Sequence, residues 1–93
     1  MGAVKVARLI TEEVETVPET LQEGVIYVSR RFGTAIHLCA CGCGGETVTP
    51  FTGVTAWDLS DGPNGVTLRP SIGNQNFPCR SHYWITDGAV EWC

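Results

Sequence analysis

The segment Cys39-Ala40-Cys41-Gly42-Cys43-Gly44-Gly45 constrains this chain more than any other, because three cysteines in five residues cannot all be bland packing units. Cysteines two apart in an extended strand have Cα atoms about 6.5–7 Å apart, at the edge of disulfide reach. Thiolates converging on one cation tolerate the spacing if the chain bends, and the interleaved glycines permit left-handed conformations that bend it. The total of five cysteines is odd, and the acidic opening segment does not read as a secretory signal. The pattern therefore points to a metal site in a reducing cytoplasm rather than a disulfide scaffold. The competing reading, reduced cysteines serving as small core hydrophobes, sits poorly with the glycine-rich clustering.

A chain of 93 residues gives the metal a structural purpose. A domain this small removes only about 60–65% of its unfolded surface from water, so its apolar core is marginal. A second cluster, Cys79-Arg80-Ser81-His82, lies forty residues beyond the first. An ion bridging the two clusters would supply stability that the core lacks. Zinc is the default for sulfur-rich tetrahedral sites. Two ligand sets are open: Cys39, Cys41, Cys43 and Cys79, or two sulfurs of the first cluster with Cys79 and His82. Cys93 is set aside as a ligand. The formal charge of −4 argues against a nucleic-acid module. No apolar run approaches the roughly 18–20 residues needed to span a bilayer.

Most of the chain after residue 24 reads as short strands. Val4–Ile10 is expected as a first strand, and Pro18–Gly24 as one short helical turn with proline early and glycine late. The glutamates between residues 11 and 23 are expected as solvated surface. Strands are expected at Gly24–Ser29, Thr34–Cys39, Val54–Leu59 and Val66–Leu68. A turn is expected at Arg30–Gly33 and a polar loop at Ser60–Gly65. Ser81–Ile85, Thr86-Asp87-Gly88 and Ala89–Trp92 form the clearest unit, because Asp-Gly between β-rich runs is a strong hairpin signal. The expected architecture is a single all-β or β-dominated domain over residues 1–93, with short antiparallel strands around a structural zinc site and a C-terminal β-hairpin. Trp57, Tyr83, Trp84 and Trp92 are assigned to its core.

Three residues among the motifs could support hydrolysis: Ser71, Ser81 and His82. A serine becomes a useful nucleophile when a base takes its proton and donors stabilise the oxyanion. Adjacent Ser81 and His82 would point to opposite faces of a strand. His82 would thus more naturally serve Ser71, and Ser81 would need His37, the other histidine. The turn Ser71-Ile72-Gly73-Asn74 offers backbone amides for an oxyanion hole, with Asn74 as a side-chain donor. Asp58, Asp61 or Asp87 could orient the base. Each residue also has a plain alternative: a turn serine for Ser71, loop chemistry for Asn74, a zinc ligand for His82 and a core or edge histidine for His37. A catalytic zinc is disfavoured by the sulfur-rich donors and the lack of an H-E-x-x-H motif. Cys79 as nucleophile would compete with Cys79 as ligand.

The blocks His37-Leu38-Cys39-Ala40-Cys41-Gly42-Cys43-Gly44, Pro70-Ser71-Ile72-Gly73-Asn74 and Cys79-Arg80-Ser81-His82-Tyr83-Trp84-Ile85 resemble a small bacterial family catalogued as a domain of unknown function. A terminal Gly88-x-Val90-x-Trp92 completes the likeness, which covers about residues 24–93. Members of that family are commonly encoded beside bacterial ubiquitin-like proteins and their activating and conjugating enzymes. The resemblance implies partners of that class and a role in processing or removing the modifier. Two functions are therefore expected to compete. One is a zinc-stabilised serine peptidase or isopeptidase using Ser71 or Ser81 with His82. The other is a non-catalytic zinc adaptor that binds the ubiquitin-like protein or its enzymes.

Overall fold

The computed structural model describes residues 5–53, 56–74 and 77–93. Eight strands are assigned: β1 (Ile10–Glu13), β2 (Val25–Ser29), β3 (Thr34–Leu38), β4 (Glu46–Pro50), β5 (Asp58–Gly62), β6 (Gly65–Gly73), β7 (His82–Thr86) and β8 (Ala89–Trp92). They form two four-stranded sheets, each in chain order, β1-β2-β3-β4 and β5-β6-β7-β8. Every neighbouring pair is antiparallel except β1 and β2, which run parallel. The all-β expectation holds.

Period-two alternation explains how the sheets close on one another. Ala35 and His37 of β3, Val66, Leu68 and Ile72 of β6, and Tyr83 and Ile85 of β7 turn inward and are buried. With Leu9, Ile26 and Val28 all of these but His37 make one apolar core. Each fully buried aliphatic side chain contributes about 1.5–3 kcal/mol relative to exposure. Cys39 and Ala40 belong to this core too, so the first cysteine motif begins inside it.

The segment before β1 is shared between the sheets. Val90 N donates to Ala7 O and Leu9 N to Gly88 O, at 2.9 and 2.8 Å, before β1 joins β2. The Arg30 guanidinium adds a surface tie, reaching Glu13 of β1 and Asp61 of β5.

Several elements differ from the sequence expectation. Pro18–Gly24 contains bends and a turn but no helical turn. The eleven residues between β1 and β2, with a proline among them, are too few to nucleate a helix without a buried face. The first strand is Ile10–Glu13, later than Val4–Ile10, whose Val4 lies outside the described residues; only Arg8 makes an isolated bridge, to Ala89. The strand expected at Val54–Leu59 begins at Asp58, and residues 54 and 55 lie outside the described residues. The polar run expected as a loop is mostly strand, with Asp61 paired to Val66 and Gly62 to Gly65 around Pro63-Asn64. The strand β4, Glu-Thr-Val-Thr-Pro, was not expected: its inward positions are Thr47 and Thr49 rather than large apolar residues. The C-terminal hairpin is as expected, with Asp87 and Gly88 both at positive φ, 49° and 82°, as a type I′ turn requires.

Candidate active site and metal centre

β3 runs directly into the sulfur cluster. Cys39 follows its last residue, and the chain then reverses: Gly42 N donates to Cys39 O at 3.0 Å and Cys39 N to Gly45 O at 2.7 Å. Gly42 and Gly44 take φ values of 89° and 84°, the left-handed region where a side chain would be strained. The fourth cysteine arrives from the turn between β6 and β7, where Arg80 N donates to Phe77 O at 3.0 Å.

The sulfurs of Cys39, Cys41, Cys43 and Cys79 all lie within 4.8 Å of one another. Individual separations are 3.4 Å for Cys39–Cys41, 3.7 Å for Cys39–Cys79 and 3.5 Å for Cys43–Cys79. Bonds of about 2.3 Å to a central tetrahedral zinc put sulfurs about 3.8 Å apart, so the donor set fits such an ion in number, chemistry and spacing. The four cysteines are positioned to hold a metal ion. His82 is not part of the group, and of the two ligand sets the geometry assembles the four-sulfur one.

Two polar side chains reach into the cluster from sheet ends. The Ser81 hydroxyl lies 2.9 Å from Cys39 Sγ and 3.5 Å from Cys79 Sγ. Asn74 Nδ2 donates to both Cys39 Sγ and Ser81 Oγ, each at 3.3 Å. Ser81, Asn74 and Cys39 are all buried. Donors aimed at a buried sulfur favour its anionic form, the form that ligates. Hydrogen bonding by Ser81 accordingly pulls the Cys79 thiol down to about 6, whereas burial pushes Cys41 up.

The second site lies across the same pair of strands. Ser71 Oγ and His82 Nε2 are 2.6 Å apart. His82 is exposed and Ser71 half-buried. Inward Tyr83 and Ile85 force His82, Trp84 and Thr86 to the outer face of β7. The β6–β7 register shifts between Leu68 and Ile72, so β6 spends extra residues there and carries Ser71 beside His82. This is the juxtaposition the motif spacing suggested for Ser71.

The remaining candidates are placed elsewhere. Ser81 faces the thiols and not a histidine. Asn74, expected as an oxyanion donor, has its amide on Cys39 and Ser81, while its Oδ1 accepts from Thr47 at 3.3 Å. Asp61 pairs with Arg30, and Asp87 caps Asn64 through hydrogen bonds that lower its carboxyl. Asp58 sits opposite Arg69 at the start of β5. None of these three has a hydrogen bond to His82 among the described residues; the ring's partner there is Ser71. His37 is a core histidine, with Nε2 at 2.7 Å from the Tyr83 hydroxyl and Nδ1 buried without a partner among the described residues. Burial pushes His37 down to about 4, leaving it neutral.

Sequence reasoning missed the attachment of Ser81 and Asn74 to the sulfur cluster. The signal was present for Ser81, two residues after Cys79 and hence able to turn back on it, but absent for Asn74. It placed Tyr83 in the core but missed its polar part: the hydroxyl accepts from the Ala40 amide and shares a hydrogen bond with His37 Nε2, and so braces the end of β3.

No curated protein and no solved structure matches this chain. A family model does match, over residues 13–93, and its description is "Bacterial ubiquitination-like system serine protease (BubE)". That span takes in both the sulfur cluster and the Ser71–His82 pair. The chain belongs to this family.

Proposed function

We propose that the protein is a serine peptidase of a bacterial ubiquitin-like pathway, with Ser71 as nucleophile and His82 as base. It would release the ubiquitin-like modifier from a precursor extension or from a conjugated amine. The observation that carries this reading is the 2.6 Å contact between Ser71 Oγ and His82 Nε2, together with a metal cluster that does not need His82. With the ring proton on Nδ1, Nε2 accepts the Ser71 hydroxyl proton as Oγ bonds to the substrate carbonyl carbon. The carbon–nitrogen bond then breaks, and His82 returns the proton to the departing amine. A water, deprotonated by His82, displaces Oγ from the acyl carbon, and Ser71 recovers its proton.

Backbone geometry supports an oxyanion donor. Asn74 N bonds to Ser81 O, so Asn74 and Ser81 are a bonded pair of the ladder. By alternation Gly73, opposite His82, directs its N–H away from β7. That amide, two residues after the nucleophile, is the donor we assign to the developing oxyanion, a role in which one donor is worth about 10²–10³ in rate.

The ion is assigned as zinc, held by Cys39, Cys41, Cys43 and Cys79. It would supply cross-linking of β3 to the β6–β7 turn, and Ser81 and Asn74 would hold the thiolates in place. The decisive experiment compares Ser71→Ala with Ser81→Ala on a purified modifier precursor. Ser71→Ala is expected to lower the cleavage rate by about 10³-fold or more, with the midpoint of thermal unfolding unchanged. Retained cleavage by Ser71→Ala, or an inert wild type beside active pathway enzymes, overturns the reading.

A further inference from the structure

Arg69, on the outer face beyond the Ser71–His82 pair, carries a charge that no carboxylate neutralises among the described residues. Arg30 and Arg31 show the contrast: the first reaches Glu13 and Asp61, the second Glu15. Arg69 has neutral acceptors only. Its Nη1 donates to Leu68 O and Ile85 O at 2.9 and 3.1 Å, and its Nη2 to Thr86 Oγ1 at 2.9 Å. Asp58 stands opposite Arg69 in the β5–β6 ladder without an ion pair to it, and Glu91 is engaged by the Thr86 hydroxyl instead.

The side chain is also held in place. Its guanidinium carbon lies 5.0 Å from the centroid of the Trp84 ring, which attracts a cation to its face. Arg69 and Trp84 are both half-buried. A guanidinium has five N–H donors, and the three bonds above leave two without a protein acceptor among the described residues. A cation already ordered by its neighbours gives up little further freedom when an anion arrives. The arrangement is that of a receptor with open donors.

Register sets this receptor beside the Ser71–His82 pair. Between the Leu68–Ile85 and Ile72–Tyr83 pairings, β6 spends three residues, Arg69, Pro70 and Ser71, against Trp84 alone on β7. The irregularity thus gathers Arg69 and Ser71 about one position of the facing strand. Trp84 is the next outward residue after His82, about 7 Å along β7. Gly73, whose amide is assigned to the oxyanion, lies on the other side of Ser71 from Arg69. A departing amine takes its proton from His82, so the chain attached to it leaves over β7 and meets Trp84 and Arg69 next.

Resting on the serine-peptidase reading, we propose that Arg69, seated on Trp84, binds a carboxylate on the leaving side of the scissile bond. Strand spacing puts that carboxylate about two residues beyond the bond. Two oxygens of a carboxylate match two open N–H groups of a guanidinium. A precursor extension of two residues ends in such a group whatever its sequence, and an acidic side chain at the second position offers the same chemistry. A neutral leaving segment leaves the charge of Arg69 unanswered. The selectivity is for what departs, and it favours a short extension with a carboxylate at its end over a neutral one.

The test uses the zinc-loaded full chain and three semisynthetic precursors. Each carries the modifier followed by Ala-Ala with a free carboxylate, by Ala-Ala carboxamide or by Ala-Glu carboxamide. A carboxylate-bearing precursor is expected to be cleaved with a kcat/KM about 10-fold or more above that of the Ala-Ala carboxamide. Preference for the first precursor identifies a terminal carboxylate as the ligand, and preference for the third an acidic side chain. Arg69→Gln is expected to erase the preference. Since Arg69 also braces three acceptors, its thermal unfolding is measured alongside, and the wild-type comparison of precursors stands without any substitution. Equal cleavage of all three by the wild type, or an undiminished preference in a folded Arg69→Gln, overturns the proposal and leaves cleavage by Ser71 untouched. Calorimetric binding of the three precursors to Ser71→Ala is expected to follow the same order. An inert wild type whose Ser71→Ala form still ranks the precursors through Arg69 refutes the peptidase reading alone.

Discussion

The β6–β7 pair has two faces that treat polar groups in opposite ways. On the inner end, Ser81 and Asn74 are buried; Ser81 meets the thiols of Cys39 and Cys79, and Asn74 meets the Cys39 thiol and the Ser81 hydroxyl. On the outer face, Ser71 and His82 have each other, and His82 is open to solvent. Yet Ser81 and His82 are consecutive residues. One step along a strand separates a hydroxyl fixed around a metal site from an imidazole left accessible to a substrate. The inner group is held by several partners; the outer pair has only one another among the described residues, which is what the proposed catalytic role asks of it. Burial, not residue type, distinguishes the surroundings of the two serines.

The largest test of that contrast removes the inner anchor. Stripping the metal with a chelator, or Cys39→Ser, is expected to unfold the protein, because structural zinc contributes on the order of 10 kcal/mol or more in small domains. Circular dichroism and thermal melts before and after zinc replacement check this, and a chain that stays folded without the ion would dissolve the contrast. Next comes Ser81→Ala, expected to weaken zinc binding about 10–100-fold while residual cleavage by the loaded enzyme persists. Competition with a chromophoric chelator reads the first effect, and abolished cleavage at full zinc loading would return Ser81 to the catalytic candidates. Tyr83→Phe should cost about 1–3 kcal/mol by leaving both His37 Nε2 and the Ala40 amide short of a partner, as measured by urea unfolding. The smallest change is expected on the outer face. Thr86 Oγ1 links Arg69 to Glu91 in the open, and Thr86→Val should shift stability by less than about 1 kcal/mol.

The same contrast explains what could be read from the chain. The sulfur cluster was legible because its spacing is local, with three cysteines in five residues and the fourth three residues before a histidine. The Ser71–His82 pair was legible from the parity of strand positions, which sends His82 away from Ser81. The terminal hairpin followed from Asp87-Gly88. By contrast β4 was invisible, because Thr47 and Thr49 bury small polar side chains where a hydrophobic stripe would be sought. Asn74 could not be separated from loop chemistry, since its contact with Cys39 spans thirty-five residues and depends on the sheets being packed. Asp58, Asp61 and Asp87 stayed open as alternatives for a similar reason: each finds its partner through pairing, an ion pair or turn geometry, and none through the histidine among the described residues. The start of the chain misled because Arg8 and Ala7 do pair, but with β8 and not within a strand of their own sheet.

That shared opening segment has a kinetic side. Ala7 and Leu9 bond to Val90 and Gly88, contacts spanning about eighty residues, and the very next residues complete the other sheet. The segment binds the edge of one sheet and leads straight into the first strand of the other, so its place is complete only when both are laid down. Long loops make such closure slow. Folding should therefore end in one cooperative locking step, in which the two halves of the molecule become stable together and neither opens alone.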